Sequence, residues 1–498
     1  MRYNSTRNNS LFVTSAEAIK IGLSPDGGLF VPESFPLVTE DELKSLINMS
    51  YSQRAALILG RYLTDFTEDE VVNCVNNAYS REKWASKDIT PVKKLDDSVF
   101  FLELWHGITC AFKDVALQIL PHLLTTSVKK TNDSRTAVIL VATSGDTGKA
   151  ALEGFKDVKG TKIAVFYPSD GVSDIQKLQM TTQDGNNVTV SGIKGNFDDA
   201  QTAVKRIFTN EDMKKILAEN NMMFSSANSI NWGRLAPQIV YYFSAYCDMA
   251  KSGDITFGDK INFVVPTGNF GDILAGYYAF KMGLPVNRLI CASNKNKVLT
   301  DFINTGVYNK NREFYTTSSP SMDILISSNL ERFLYDISGS DDVKIKRFMD
   351  SLNRDGKYEI DDKMKLKMTK ILYGGFCDDD ATKAEIKSVF TEYGYTMDTH
   401  TAVGKNVYDK YRKETGDNTK TVILSTASPF KFSSTVVSAI KGENAVLSKN
   451  GFELLDMLSE ISGLKIPKSL DELKNKKVKF GGTVDKTEID GFVKESLI

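Results

Sequence analysis

Short apolar runs alternate with segments of helical periodicity along the chain from about residue 96 onward. The apolar runs are continuous and bounded by turn residues, which is typical of strands buried on both faces of a sheet. They lie at residues 137–142, 163–167, 188–190, 261–265, 289–292 and 422–425. Helical runs lie at 149–155, 173–178, from about 198, and at 273–281. This alternation predicts an α/β protein with parallel sheets and helices on both faces.

The other segments differ in pattern and suggest the domain boundaries. Residues 1–95 are predicted to be mostly helical, with Thr67 and Glu70 forming a capping box at one helix start. We predict a first α/β domain at 96–255 and a second at 256–440, followed by a C-terminal segment at 441–498 with a small strand and turn at 478–483. Residues 338–392 are polar and helical in period without a buried-strand signature, which predicts a helical insertion in the second domain.

Composition indicates a soluble globular protein of more than one domain. The chain has 498 residues, of which 41% are hydrophobic and 25% are charged. A net charge of -1 gives no bulk attraction to nucleic acid or membranes, and we recognise no signal peptide or spanning segment. Five dispersed cysteines are typical of reduced thiols, so a cytoplasmic location is predicted. The three histidines lack paired spacing, so no metal site is expected.

Lys113 is the first candidate for chemistry. The four residues before it carry no charge, and apolar runs lie on both sides of the motif. Desolvation disfavours the ammonium form, and a neutral amine attacks an aldehyde and holds it as a Schiff base. The alternative is an exposed lysine at a helix start, which its residue type alone favours.

Two glycine loops, each between a predicted strand and a predicted helix, are candidate anion sites. The loop at 266–272 combines glycines, which allow close approach, with the free amides of a helix start. The loop at 142–149 adds the hydroxyls of Thr143, Ser144 and Thr147. Either loop alone is also explained as an ordinary turn or helix cap. Together with Lys113, they indicate pyridoxal phosphate as a cofactor.

Two further polar segments carry possible ligand contacts. Residues 226–234 include two amides, a hydroxyl and Arg234, whose guanidinium can bind two anionic oxygens at once. A capped helix with a solvated arginine explains this segment equally well. Thr426 follows the strand at 422–425, where its hydroxyl can meet a ring nitrogen or simply end the strand before Pro429. Strand ends of this kind converge at one sheet edge, where ligands bind in α/β folds.

In this order, the motifs resemble those of the threonine synthase family, in its long bacterial and fungal branch. The matching segments are 24–32, 106–107, 112–118, 144–148, 228–231, 266–272, 319–324, 398–404 and 425–427. Members of this family are pyridoxal-phosphate enzymes of the tryptophan synthase β-like fold. The resemblance covers nearly the whole chain.

The resemblance implies a role for each candidate residue. Lys113 would hold the cofactor as a Schiff base, and Thr426 would meet its ring nitrogen. The cofactor phosphate would be bound by Gly268, Asn269, Phe270, Gly271 and Asp272. The substrate carboxylate and the cofactor ring oxygen would be met by Thr143, Ser144, Asp146 and Thr147. The substrate phosphate would be bound by Asn228, Ser229 and Arg234.

The implied reaction converts O-phospho-L-homoserine and water to L-threonine and phosphate. Lys113 would be the base that moves protons at the α and β carbons. Phosphate would leave from the γ carbon and water would add at the β carbon. The oligomeric state is left open, with a monomer as the working expectation.

Two departures from the family pattern are present. Ile108 and Cys110 stand where the family often has proline and leucine, which we interpret as a packing change. Ser428 stands where the family often has histidine, which puts any proton role of that imidazole in doubt.

Two rival functions remain. A serine/threonine dehydratase or a cysteine synthase-like enzyme of the same fold needs no site for a substrate phosphate. A non-catalytic binding protein that keeps the sheets and the phosphate loops is the rival of a different class.

Overall fold

The computed structural model describes residues 1–143, 145–169, 172–195 and 197–498. Within these residues, the strands form a six-stranded sheet, a five-stranded sheet and two smaller sheets. The five-stranded sheet is entirely parallel, and the six-stranded sheet is parallel except for one edge strand. This is the α/β fold that the alternating sequence pattern predicted.

The first 95 residues form a small antiparallel sheet and four helices, of which the sequence pattern predicted only the helical part. Their elements are β1 (Tyr3–Ser5), β2 (Asn8–Val13), α1 (Ser15–Ile21), β3 (Phe30–Pro32), α2 (Glu40–Leu46), α3 (Tyr51–Tyr62), α4 (Glu68–Ala78) and β4 (Val92–Lys94). The capping box at α4 is confirmed. The Thr67 hydroxyl accepts from the backbone N–H of Glu70, and the Glu70 carboxylate accepts from that of Thr67.

Residues 96–255 alternate strands with helices. The elements are β5 (Val99–Glu103), α5 (Lys113–Leu117), α6 (Leu120–Lys130), β6 (Thr136–Ala142), α7 (Asp146–Phe155), β7 (Thr161–Pro168), α8 (Asp174–Thr181), β8 (Val188–Lys194), α9 (Phe197–Thr209), α10 (Glu211–Glu219), β9 (Met222–Ser225) and α11 (Trp232–Ser252). Strands β6, β7 and β8 include the predicted runs and extend each of them by one to four residues.

The remaining residues continue the alternation and then end in a helical segment. The elements are β10 (Ile261–Pro266), α12 (Gly271–Lys281), β11 (Val286–Ser293), α13 (Val298–Thr305), β12 (Val307–Asn309), α14 (Leu330–Ser338), α15 (Asp342–Asp355), β13 (Lys357–Glu359), α16 (Asp362–Ile371), β14 (Leu372–Phe376), α17 (Asp379–Tyr393), α18 (Thr399–Thr415), β15 (Thr421–Ser425), α19 (Ser433–Lys441), α20 (Gly451–Ser462), α21 (Lys468–Asp471), β16 (Thr483–Asp485) and α22 (Ile489–Leu497). Short 3₁₀ turns lie at Pro320–Met322 and Pro429–Phe432.

The strand order shows how the two large sheets divide the chain. The six-stranded sheet has the order β14-β11-β10-β15-β5-β4, and the five-stranded sheet has the order β16-β8-β7-β6-β9. Strand β5 lies in the range predicted for the first α/β domain, yet it pairs with β15 of the second. The predicted boundary at residue 96 therefore does not coincide with a boundary between sheets. The small strand predicted at 478–483 lies slightly later in the chain, at Thr483–Asp485, where β16 adds to the edge of the five-stranded sheet beside β8.

Both large sheets are buried on both faces, as the continuous apolar runs predicted. In β6, Ile139 and Val141 join one hydrophobic cluster, whereas Val138 and Leu140 join another. Helices α7 and α9 contribute to these two clusters, respectively. The six-stranded sheet is covered in the same way, by α11 and α12 on one face and by α18 on the other.

The predicted helical insertion at 338–392 also contains a strand of the six-stranded sheet. Strand β14 pairs in parallel with β11, which the helical pattern did not predict. The reason is local packing. A Cβ on Gly375 would lie 2.7 Å from a methyl group of Val407, and a Cβ on Gly374 would lie 3.1 Å from Ile303. Because neighbouring side chains leave little room for a Cβ at these two positions, β14 lacks the continuous apolar run that identifies a buried strand in the sequence.

Helix α11 is buried along nearly its whole length. The Asn231 side chain caps its start by accepting from the backbone N–H of Gly233 at 2.8 Å, and it also donates to the carbonyl of Ile19 at 2.9 Å. The cap thus ties the helix to the N-terminal segment. Over the described ranges, neither this helix nor another combines the length and the apolar character that crossing a membrane requires.

Candidate active site

Lys113 is the first residue of α5, at the end of a tightly held loop. The Asp114 carboxylate accepts from the backbone N–H of Thr109 at 2.7 Å and from its hydroxyl at 2.8 Å. A Cβ on Gly107 would lie 2.4 Å from this carboxylate, so only glycine fits there. The loop therefore presents Lys113 from a fixed backbone.

Thr426 is brought beside Lys113 by backbone pairing. The backbone N–H of Phe112 donates to the Thr426 carbonyl at 2.8 Å, and that of Ser428 donates to the Cys110 carbonyl at 3.0 Å. Cys110 has a φ of +61°, a left-handed conformation that costs a non-glycine residue energy and is common next to functional sites. The predicted contact of Thr426 with a ring nitrogen stays a prediction.

The Lys113 amine is buried among charged groups, and the residue is only 8% exposed. Its Nζ lies 3.3 Å from the Ser321 hydroxyl and 3.7 Å from the Asp146 carboxylate. Burial lowers the pKa of the amine, and the cations of Arg234 and Lys431 lower it further, against the attraction of Asp146 and Asp272. The neutral form needed for imine chemistry is favoured accordingly.

Asp146 is paired with a second buried lysine that the sequence analysis did not assign to the site. Lys431 Nζ lies 2.8 Å from Asp146 Oδ1, and it also donates to Gln179 Oε1 at 2.8 Å. The Gln176 amide donates to the same Asp146 oxygen at 2.9 Å. Burial alone would raise the pKa of Asp146, but Lys431 and Lys113 hold it well below its usual range. The sequence feature that could have indicated Lys431 is its position between two aromatic residues, Phe430 and Phe432.

The glycine loop before α12 is shaped by its neighbours rather than by a side-chain cap. Phe270 has a left-handed φ of +64°, and no side chain caps the helix start. The Gly268 carbonyl accepts from the Ser327 hydroxyl at 2.8 Å, and the carbonyl of the exposed Asn269 accepts from the Asn329 backbone N–H at 3.0 Å. The carbonyls are thus held from outside, which leaves the amides at the helix start for an anion.

Asp272 lies in the first turn of α12 and is buried beside this loop. Its carboxylate accepts from the backbone N–H of Ile273 at 2.8 Å. Burial raises the pKa of Asp272 to about 7, against the opposing effect of that hydrogen bond and of Lys113. Burial at this position therefore favours the neutral form of the Asp272 carboxyl group.

The loop before α7 folds around the Thr143 hydroxyl. This oxygen accepts from the backbone N–H groups of Gly145 and Gly148, each at 2.9 Å. Thr147 is half-buried in the first turn of α7. Ser144, which we predicted to contact substrate, lies outside the described residues. Thr143 shapes the loop, and the predicted substrate contacts of Thr143 and Thr147 stay predictions.

Arg234 is a buried cation in the first turn of α11. Its Nη1 donates to the Ala227 carbonyl at 2.9 Å, and no carboxylate pairs with it in the described part of the chain. Burial lowers the pKa of Arg234 to about 10. Asn228 and Ser229 are half-buried just before this helix, and a Cβ on Gly271 would lie 3.8 Å from that of Ser229. This arrangement favours binding of an anion next to the glycine loop.

The residues that depart from the family pattern have structural partners. The buried Ser428 hydroxyl accepts from the backbone N–H of Phe430 at 3.4 Å and so caps a 3₁₀ turn. Burial raises the pKa of the Cys110 thiol to about 11, which leaves little thiolate for nucleophilic chemistry. His106 Nε2 lies 2.8 Å from a Glu103 oxygen. Neither cysteine nor histidine catalysis is favoured here.

Comparison with known families gives a consistent result along the chain. Residues 2–79 match the model "Threonine synthase N terminus", 88–427 match "Pyridoxal-phosphate dependent enzyme", and 401–481 match "Threonine synthase, C-terminal". The chain belongs to the threonine synthase family. The predicted family membership and fold class are thereby confirmed.

Individual members of the threonine synthase family cover most of the chain. Threonine synthase-like 1 of Homo sapiens is 41% identical over 86% of the chain, but the match spans only 58% of that longer protein. Threonine synthase of Methylobacillus glycogenes is 37% identical over 88% of the chain and 92% of its own length. The crystal structure of a PLP-bound threonine synthase from Brucella melitensis superposes with a TM-score of 0.87, at 34% identity over 100% of the chain and 99% of its own.

Proposed function

We propose that this protein is a pyridoxal-phosphate-dependent threonine synthase that converts O-phospho-L-homoserine and water to L-threonine and phosphate. The observation that carries the proposal is the placement of Arg234, a buried cation without a carboxylate partner among the described residues, close enough to lower the pKa of Lys113. A second anion site beside the cofactor loop suits a substrate with its own phosphate. A dehydratase has no use for it.

The residues present fit pyridoxal phosphate. A buried amine with a lowered pKa suits the aldehyde, and the uncapped start of α12 suits the phosphate. A Cβ on Gly268 would lie 2.5 Å from the Ser321 carbonyl, which explains the glycine in this loop. Thr426 would meet the ring nitrogen, and Asp146 would lie at the ring oxygen. When bound, this cofactor supplies an electron sink for the reacting carbons.

The protein's own residues would orient the substrate and move its protons. Lys113, released when substrate binds, would act as the base at the α and β carbons, and its lowered pKa favours the neutral form that this role needs. The start of α7, with Thr143, Ser144 and Thr147, would bind the substrate carboxylate through free amides and hydroxyls. Asn228, Ser229 and Arg234 would bind the substrate phosphate, Arg234 through two parallel hydrogen bonds.

We also place this reaction in the cytoplasm. The five cysteines are free and buried, and five thiols without a disulfide are typical of a reducing compartment. The small-molecule substrate is the partner that the site supports, and a monomer stays a prediction.

A comparison of three possible substrates tests the proposal. The purified protein, supplied with pyridoxal phosphate, is incubated separately with O-phospho-L-homoserine, L-serine and L-threonine, and threonine, phosphate and keto acids are measured. We expect equal amounts of threonine and phosphate from O-phospho-L-homoserine and none with Lys113→Ala. Consumption of serine or threonine without use of O-phospho-L-homoserine would show a dehydratase instead. If the protein is colourless after pyridoxal phosphate is added and the unbound cofactor is removed, the protein is a non-catalytic binding protein instead.

A further inference from the structure

Ser321 contacts both the reactive lysine and the loop proposed for the cofactor phosphate. It lies in the 3₁₀ turn Pro320–Met322, and its hydroxyl is 3.3 Å from Lys113 Nζ. Its carbonyl oxygen lies 2.5 Å from the position of a Cβ on Gly268. The turn is therefore a wall of the site, formed by a segment more than two hundred residues after Lys113.

A buried histidine–aspartate pair holds this turn. The backbone N–H of Ser321 donates to His400 Nε2 at 3.2 Å, and His400 Nδ1 lies 2.7 Å from Asp398 Oδ2. Both side chains are buried. Because a backbone N–H can only donate, His400 Nε2 is the acceptor, so the ring proton lies on Nδ1 and faces the Asp398 side chain. Asp398 thereby selects the imidazole tautomer that the turn requires.

The Lys113 amine has few acceptors other than Ser321. The Asp146 carboxylate is 3.7 Å away and already accepts from Lys431 and Gln176. The other charged groups that act on Lys113 are Asp272 and the cation Arg234. Within the described residues, the Ser321 hydroxyl is the neutral acceptor at hydrogen-bond distance from Nζ. A neutral amine that donates one N–H to this oxygen has its lone pair directed elsewhere.

We propose that Ser321 is a further catalytic residue, which accepts a hydrogen bond from the Lys113 amine whenever that amine is free of the cofactor. Asp398 and His400 are positioning residues that hold Ser321 in place. This inference rests on the proposed function, because it needs Lys113 to alternate between a bound and a released form. The hydrogen bond orients the amine lone pair for attack and for proton transfer.

Condensation of the cofactor with Lys113 gives the direct test. The full-length protein is freed of pyridoxal phosphate and remixed with it at a series of pH values, and the rate is followed by absorbance and by borohydride trapping. With Ser321→Ala, we expect the plateau rate at high pH to fall about tenfold, as expected for one lost hydrogen bond to a charged or reacting group. The midpoint should move to lower pH, because an acceptor that stabilises the ammonium form is gone.

Ser318→Ala is the matched control. Its hydroxyl lies in the same segment but donates to Asp379 at 2.8 Å, whereas Lys113 Nζ contacts the Ser321 hydroxyl. We expect its rate and midpoint to equal those of the unchanged protein. Ser321→Thr, which keeps the hydroxyl, should recover most of the rate. Equal loss in Ser318→Ala and Ser321→Ala would reveal a structural effect and overturn the inference.

The positioning role is tested at His400. The side-chain oxygen of glutamine can accept the Ser321 N–H in place of Nε2, whereas leucine cannot accept a hydrogen bond. We expect His400→Leu to show the lowered plateau and shifted midpoint of Ser321→Ala, and His400→Gln to restore both. If His400→Leu does not fold, Asp398→Asn, which removes one of the two oxygens that accept from His400 and Thr401, should show the same two changes, and their absence in a folded protein would overturn the positioning role.

Failure of this inference differs from failure of the proposed function. If Ser321→Ala condenses with the cofactor as the unchanged protein does, at the same rate and midpoint, Ser321 has no part in handling the amine. The assignment of Lys113 would still stand. If the unchanged protein traps no cofactor at Lys113 and releases no phosphate from O-phospho-L-homoserine, the function itself is wrong.

Discussion

Arg234 and Arg332 are both buried arginines, but they differ in what surrounds them. Arg332 donates to the carbonyls of Phe30 and Ile230 and to the Asn329 side chain, at 2.9, 2.6 and 2.6 Å. Arg234 has one carbonyl partner and no carboxylate among the described residues. A buried guanidinium with a single hydrogen-bond partner destabilises the fold, and such a cost is typical of binding sites. Arg332 is therefore structural, and Arg234 is the residue kept for a ligand.

The two arginines should respond differently to substitution. Arg234→Met removes a buried cation that has no carboxylate partner in the described part of the chain. We therefore expect the free energy of unfolding of the cofactor-free protein to stay the same or to rise by about 1 kcal/mol. We expect KM for O-phospho-L-homoserine to rise at least about tenfold. Arg332→Met leaves buried carbonyls without donors and should cost about 3 kcal/mol. Urea unfolding and steady-state kinetics measure both. A destabilised Arg234→Met protein with unchanged KM would remove Arg234 from the substrate site.

The raised pKa of Asp272 makes the free energy of unfolding depend on pH in a defined direction. The folded protein holds its proton up to a pH near 7, whereas the unfolded chain releases it near pH 4. The folded state thus binds more protons between these values, and stability falls as pH rises through them. In the cofactor-free protein, Asp272→Asn should remove this loss and stabilise the protein at pH 8 by about 4 kcal/mol, because the two pKa values differ by about three, with little gain at pH 4. Urea unfolding of both proteins at pH 4 and pH 8 measures the difference. If Asp272→Asn changes the free energy of unfolding equally at the two pH values, the raised pKa is contradicted.

At the scale of elements, the helices that begin with Lys113 and Asp146 are held together by one close contact. A Cβ on Gly154, in α7, would lie 2.0 Å from the Leu117 carbonyl of α5. Backbone atoms cannot move aside as a flexible side chain can. The spacing of these two helices sets the separation of the Lys113 amine and the Asp146 carboxylate.

Gly154→Ala should therefore damage both fold and site. We expect a loss of about 1–3 kcal/mol from overpacking, together with weaker cofactor binding as Lys113 moves away from Asp146. Gly60→Ala, in α3, meets no atom within 4 Å and should gain about 1 kcal/mol from helix propensity. Thermal unfolding and cofactor titration measure both variants. Unchanged cofactor affinity in Gly154→Ala would show that the helix contact does not set the site.

The sequence pattern predicted the central strands of both large sheets and several of the helices that follow them, and it missed elements whose cause is tertiary. Strands buried on both faces, such as β6, are visible because every residue must be apolar. The capping box of Thr67 is visible because it depends on residues three apart. Strand β14 was missed because the packing of Gly374 and Gly375 is set by Ile303 and Val407, which are distant in sequence.

At the scale of the whole molecule, the candidate site combines parts of both large sheets. Lys113 could be proposed from sequence because the residues before it carry no charge and apolar runs flank the motif, whereas Asp146 could be proposed only from the resemblance of its loop to the family motif. Lys431, Ser321 and His400 could not be assigned a role, because their contacts are made across the fold. Lys431 contacts Asp146, Ser321 contacts Lys113, and His400 contacts Ser321. Sequence motifs identify residues at the ends of strands. Residues that contact the site from distant parts of the chain have no such motif.

A ligand bound by both sheets should stabilise the whole molecule. We expect pyridoxal phosphate, at about 100 times its Kd, to add about 2.7 kcal/mol and to raise a single unfolding transition. Calorimetry of the cofactor-free protein measures this, with pyridoxal, which lacks the phosphate, as the matched control ligand. Two transitions, of which the cofactor moves only one, would contradict a site shared by both sheets.

The identity of the lysine that holds the cofactor is the central claim. The protein with bound pyridoxal phosphate is reduced with borohydride, digested and analysed by mass spectrometry. The account predicts one modified peptide, labelled at Lys113, and no label in Lys113→Arg. A label on Lys431, the other buried lysine paired with Asp146, or on no lysine at all, would contradict the account.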